Sequence, residues 1–111
     1  MENTQKIKKK YKGPLETACI YLGIINVLNH LQLTDKQIEM LSFMIINGGV
    51  LNKEAFVEYF NTTESRAANI IYLLRKTPLV SGNPLTINPS LNKLDVTQPI
   101  TLNIFIENEA K

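Results

Sequence analysis

Apolar and polar residues alternate along this chain in two different periods, helical over most of residues 14–76 and strand-like beyond them. Gly13-Pro14 breaks the preceding chain and suits a helix start, because proline at the first helical position gives up a hydrogen bond it would not have made. The helix predicted from there runs to about residue 31. Between Ala18 and Leu28 nearly every residue is apolar, with Asn26 the one strongly polar exception, so a single buried face does not account for the pattern. Two arrangements do: a central core helix, or a helix whose second face, carrying Ile24 and Leu28, packs on another subunit. Eleven such residues are too few for a bilayer, which needs about 20, and no membrane partner is expected.

Leu33-Thr34-Asp35-Lys36-Gln37 is a helix start with a mechanism. Thr34 can cap, Gln37 can return the bond as in a capping box, and Asp35 sits favourably in the first turn. Ile38, Leu41, Met44 and Ile45 then form an inward stripe, broadened by Phe43 and Ile46, until Asn47-Gly48-Gly49 ends the helix near residue 47. Val50-Leu51 reads as an extended link. Asn52 caps a short helix over 53–60 whose apolar residues Ala55, Phe56, Val57, Tyr59 and Phe60 leave Glu54 and Glu58 outward. Three residues, Asn61-Thr62-Thr63, precede a helix over 63–76, which must stop near Thr77 because Pro78 disfavours a helical residue before it. Two short helices joined by so short a turn are a helix-turn-helix arrangement.

Beyond Pro78 the pattern is extended. Leu79-Val80 and Leu85-Thr86-Ile87 flank the turn formers Ser81-Gly82-Asn83-Pro84, and Ile100, Leu102, Ile104 and Ile106 alternate with polar neighbours as in a half-buried strand. A loop over 88–99 joins the two. The fold class read from this order is mainly α with a small β-hairpin, three to four helices in all.

Composition changes the picture in two places. The chain has 111 residues, 44% of them hydrophobic, enough for one core that buries somewhat more than about 60% of the unfolded surface. Its formal charge is +2, but the charge is uneven. Residues 1–13 hold Lys6, Lys8, Lys9, Lys10 and Lys12 against Glu2, which leaves +4, and residues 14–111 hold seven basic and nine acidic residues, which leaves −2. The division is therefore a basic arm over 1–13 and a mildly acidic domain over 14–111. Thirteen Ile, twelve Asn and ten Lys against two Arg and five Ala point to an AT-rich genome, as many bacteria and phages have.

The same counts exclude much chemistry. One cysteine, Cys19, rules out a disulfide scaffold, and with the single histidine, His30, it supplies at most half a metal site; the two are out of phase on their helix. No Ser-His-Asp set or paired carboxylates in an apolar setting can be assembled, and Gly48-Gly49 lacks the lysine and serine of a phosphate loop. No catalytic residue, metal ligand or cofactor is expected, and the chain is not read as an enzyme. No apolar run with a small-residue cleavage motif follows the lysines, so no secretory signal is read and the expected location is the cytoplasm.

Residues 33–41 resemble the second-helix opening of bacterial winged-helix regulators of the multiple-antibiotic-resistance type. Residues 61–80, NTTESRAANIIYLLRKTPLV, resemble their turn, recognition helix and first wing strand. The Ile87-Asn88-Pro89 ending is also similar to small winged-helix proteins encoded by phages. The resemblance implies a winged helix-turn-helix in which Ala67, Ile71 and Leu74 are buried and Leu79-Val80 begins the wing, with Pro78 standing where the family has glycine. It implies further that Glu64, Ser65, Arg66, Ala68, Asn69, Ile70 and Leu73 face the major groove. Arg66 and Asn69 suit that role, since Arg can bond guanine and Asn adenine bidentately, and Ser65 can take a phosphate or base edge. Glu64, Ile70 and Leu73 do not suit it, and exposed aliphatics at 70 and 73 would mark a protein contact instead.

Two functions follow as expectations. In the first, a phage- or mobile-element-encoded regulator binds double-stranded DNA with helix 63–76 in the major groove, and Arg75 and Lys76 touch the backbone. The lysines at 6, 8, 9, 10 and 12 lie along phosphates, with sequence-blind affinity, and the chain is a homo-oligomer through helix 14–31. In the second, the same fold is a structural or adaptor protein of a phage particle or other assembly. Ile70 and Leu73 then dock on a protein, the arm holds nucleic acid or an acidic surface, and the location is the virion.

Overall fold

The computed structural model describes residues 2–8 and 101–107 as backbone strands and residues 12–98 in full. The four helices among the described residues are α1 (Pro14–Asn29), α2 (Asp35–Ile46), α3 (Lys53–Tyr59) and α4 (Glu64–Leu74). A small antiparallel hairpin of β2 (Val80–Ser81) and β3 (Thr86–Ile87) follows, and then one 3₁₀ turn (Leu91–Lys93). With β1 (Glu2–Lys8) and β4 (Thr101–Glu107) numbered in chain order, the described residues are mainly helical with small antiparallel β-structure.

α2, α3 and α4 each begin where a side chain satisfies a free amide of the first turn. Thr34 and Gln37 form the full capping box: the Gln37 amide donates to Thr34 Oγ1 at 3.3 Å and the Thr34 amide donates to Gln37 Oε1 at 2.7 Å. The Ala55 amide donates to Asn52 Oδ1 at 3.1 Å, and the Arg66 amide to Thr63 Oγ1 at 3.1 Å. Pro14 opens α1, whose cap Gly13 makes no side-chain bond. Asn26, the polar interruption in α1, accepts a 2.9 Å bond from the Leu33 amide and so holds the start of α2 against the end of α1. α1 closes at His30, which takes the left-handed conformation at φ 52°.

The core is the inner face of this stack. Ala18 and Leu22 of α1 meet Met40, Leu41 and Met44 of α2; Phe56 of α3, Ala67 and Leu74 of α4 and Val80, Leu85 and Ile87 of the hairpin complete it. Leu91 and Val96 fold part of the 88–99 segment back onto the same cluster. Phe43 stacks edge-on against Phe56 and Phe60, with ring centroids 5.7 and 5.8 Å apart. No buried side-chain polar atom among the described residues lacks a hydrogen-bond partner.

The extended link after α2 adds to the hairpin. Val50 bridges antiparallel to Thr86, the Leu51 amide donates to Leu85 O at 2.8 Å and the Ile87 amide donates to Gly49 O at 2.8 Å. Residues 49–51 thus lie along the edge of β3 away from β2. Gly49 allows this at φ 91°, where a Cβ would stand 3.1 Å from the Asn92 side chain.

Helix limits differ from the sequence reading by one or two residues at most ends. α4 stops at Leu74 rather than 76, because Thr77 donates to Leu74 O through both its amide, at 2.9 Å, and its hydroxyl, at 2.7 Å, just ahead of Pro78. The larger difference lies at the basic segment. Residues 2–8 form β1, paired antiparallel with β4 in the register Glu2–Glu107 to Lys8–Thr101. Ile100, expected at the head of that last strand, lies outside the described residues.

Candidate nucleic-acid interface

α4 presents one polar face to solvent. From the 3.6-residue period, Ser65, Asn69 and Tyr72 follow one another along a single line at i, i+4 and i+7, Arg66 flanks it, and Lys76, just past the helix end, continues it with its ammonium over the Tyr72 ring. All five are exposed. Glu64 falls about a quarter-turn from Ser65, off the line, so the line itself carries no acid. Among the described residues no carboxylate lies within ion-pair distance of the Arg66 guanidinium. Thr63 takes up the Arg66 amide, which fixes the first turn and hence the direction in which Ser65 and Arg66 project.

Beside that line runs an open groove of about 720 Å³ between the start of α2, the α3–α4 turn and α4. Phe60, Ile70 and Leu73 supply its apolar lining, and Lys36, Asn61, Ser65, Arg66 and Asn69 its polar one. Asn61 holds the turn in the left-handed region at φ 50°, a conformation asparagine tolerates better than most residues. Lys36 lies 3.6 Å from Glu39, a solvent-exposed pairing worth little in water. The lining is therefore cationic and amide-rich around an apolar floor, and it holds no acidic residue.

The other basic residues expected to touch DNA are placed differently. Arg75 Nη1 donates to Gly82 O at 2.9 Å, tying the end of α4 to the hairpin turn. Lys76 Nζ stands 4.4 Å from the centroid of the Tyr72 ring, a cation–π contact at the exposed end of the line. Lys12 lies 3.9 Å from Glu16. Lys6 and Lys8 occupy β1 register positions opposite Asn103 and Thr101. Lys9 and Lys10 lie outside the described residues.

One expectation is overturned. Ile70 is not an exposed aliphatic on the outer face: it is 8% exposed and belongs to the core cluster. The inner face of α4 runs through Ala67 and Leu74, and Ile70 falls at its edge, one turn from each. Leu73 is half-buried in the groove floor, Ile24 is half-buried on α1, and Leu28 is exposed. Ala67 and Leu74 are fully buried and Ile71 packs against the core, as the family pattern implies.

Sequence reasoning missed Tyr72, Phe60 and Lys36. The first was within reach, since it continues the spacing from Ser65 to Asn69; the other two join the site only through tertiary packing. Elsewhere, burial pushes the Cys19 thiol up, opposed by a hydrogen bond with Ser42 and reinforced by Glu39 and Glu16. The side chain and amide of Thr97 bond the Asp95 carboxylate and pull its pKa below the usual value. Among the described residues no cluster of His, Cys, Asp and Glu is suited to a metal ion, and no helix is long and apolar enough to cross a membrane. No family model, no curated protein and no solved structure matches this chain.

Proposed function

We propose that this chain is a winged-helix DNA-binding protein that lays α4 in the major groove of a duplex. The observation that carries the proposal is the acid-free exposed line Ser65-Asn69-Tyr72-Lys76 with Arg66 beside it. The order of α2, the extended 49–51 link, α3, α4 and a β2–β3 hairpin supports it, because that order sets a recognition helix beside a wing. Arg66 and Asn69 read base edges, Ser65 and Lys76 take phosphates, and Arg75 holds the wing rather than the DNA. Lysines 6, 8, 9, 10 and 12 add non-specific backbone affinity. The role is that of a regulator, in keeping with an AT-rich phage or mobile-element genome and a cytoplasmic site of action.

The test is fluorescence anisotropy on a random-sequence duplex at two salt concentrations. Binding at low salt that weakens as salt rises is the expected result, since each phosphate contact releases counterions. Arg66→Ala should cost about 1–3 kcal/mol on a selected site and less on random duplex. No binding at low salt would refute the proposal.

The apolar groove floor at Phe60 and Leu73 favours a second reading, an adaptor that docks a protein of a virion or similar assembly on this same face. Leu73→Asp separates the two. Loss of assembly with duplex affinity intact supports the adaptor.

A further inference from the structure

Among the described residues the outward face of α1 has no partner. Thr17, Ala18 and Leu22 are buried, and Leu15, Tyr21 and Ile25 pack against the core. Away from that side lie Ile20 and Val27, with Ile24 and Leu28 flanking them, none of the four in the core cluster, and Val27 70% and Leu28 72% exposed. The spacing from Ile20 to Ile24 to Val27 is four and then three residues, the interval of a helix–helix seam.

Gly23 sits at the edge of this face. A glycine inside a helix costs roughly 1 kcal/mol relative to alanine, and packing among the described residues does not call for it, because a Cβ there would meet none of their heavy atoms within 4 Å. A second helix crossing close to α1 would use that space. The charge pattern says whose helix it is. From Thr17 to Thr34 the chain has no Asp, Glu, Lys or Arg, so a charged partner surface would lose its hydration here without gaining a counter-charge, whereas a second copy of the same face brings no charge to desolvate.

We infer that two copies of this chain associate through α1, antiparallel and related by a two-fold axis near Ile24. Such an axis sets Ile24 against Ile24 of the partner subunit, once, on the axis, and Ile20 against Leu28 of the partner subunit, a contact that symmetry repeats. A 16-residue helix is about 24 Å long, so the face is smaller than the roughly 800 Å² per partner of a standard interface. The dimer is therefore concentration-dependent, with Kd on the order of micromolar. The association does not rest on the DNA-binding proposal, and its test uses no DNA.

Sedimentation velocity of the intact chain over a wide concentration range should show monomer passing to dimer. Leu28→Asp, at an exposed position, should leave circular dichroism and dilute-solution melting unchanged and abolish the dimer. Gly23→Leu, open within the fold, should weaken the dimer at least tenfold without lowering monomer stability. A wild-type chain that stays monomeric at the highest concentration overturns the inference, as does a dimer that survives Leu28→Asp. A dimer lost in Leu28→Asp but unaffected by Gly23→Leu overturns the crossing at Gly23.

Discussion

Ile70→Ala distinguishes a core residue from a contact residue, and the structure sets the size of its effect. The substitution removes three carbons from a side chain that is 8% exposed. At about 0.8 kcal/mol per buried carbon the transfer loss is about 2.4 kcal/mol. A cavity deep in a core would raise the cost toward the upper part of the roughly 2–5 kcal/mol range for such truncations. Ile70 also lines the open groove, where water can enter the vacated space, so the expected loss is about 2–3 kcal/mol. That is a large share of the roughly 5–15 kcal/mol that holds a small domain together, and it lowers Tm by on the order of 10 °C. Urea unfolding should show a lower midpoint with an unchanged slope, the signature of lost stability without a changed denatured state. Leu73→Ala, half-buried in the groove floor, should cost about 1 kcal/mol by the same reasoning. An Ile70→Ala protein within about 0.5 kcal/mol of wild type would behave as a surface substitution and return Ile70 to the outer face of α4.

Thr34→Ala removes the acceptor for the Gln37 amide and should destabilise the chain by about 1 kcal/mol in the same urea assay. Arg75→Ala removes the bond to Gly82 O and should speed amide exchange at Ser81 and Thr86 while changing global stability by about 1 kcal/mol or less. The Asp95 pKa is lowered in the folded chain, so its contribution to stability is present above the unfolded value and is lost as pH falls through the folded one. Asp95→Asn should flatten that part of the acid-side stability profile, measured by Tm against pH. The Cys19 pKa is raised, so alkylation of the native thiol at neutral pH should be slower than that of the unfolded chain and should accelerate only on the alkaline side.

How much of this was legible before the structure depends on the range over which each signal acts. The Thr34–Gln37 box and the Asn52 cap are local, set by bonds between residues three positions apart, and both appear where the sequence places them; the Thr63 cap is equally local, although the sequence pattern sets Thr63 inside the helix, and α4 ends two residues short of the expected limit before Pro78. The β1–β4 pairing joins residues 2–8 to 101–107, a separation no periodicity reports, and lysine density drew the eye to charge over strand. Ile70 was misplaced for a different reason. A helical wheel gives angles between residues but not which angle faces inward, and the packing of Ala67 and Leu74 widens the buried sector of α4 far enough to include residue 70. The acid-free line was partly legible: Ser65, Arg66 and Asn69 were expected on it, whereas Tyr72 was not, and the groove with Phe60 and Lys36 exists only once α2, α3 and α4 are assembled.

The most direct test of the DNA-binding proposal is amide chemical-shift mapping of the isotope-labelled chain titrated with duplex DNA at low salt. The largest changes should fall along Ser65, Arg66, Asn69, Tyr72 and Lys76, with the Gly82 turn responding and Ala18, Leu22 and Met40 silent. Shifts confined to other surfaces, with α4 unperturbed at saturating duplex, would contradict it.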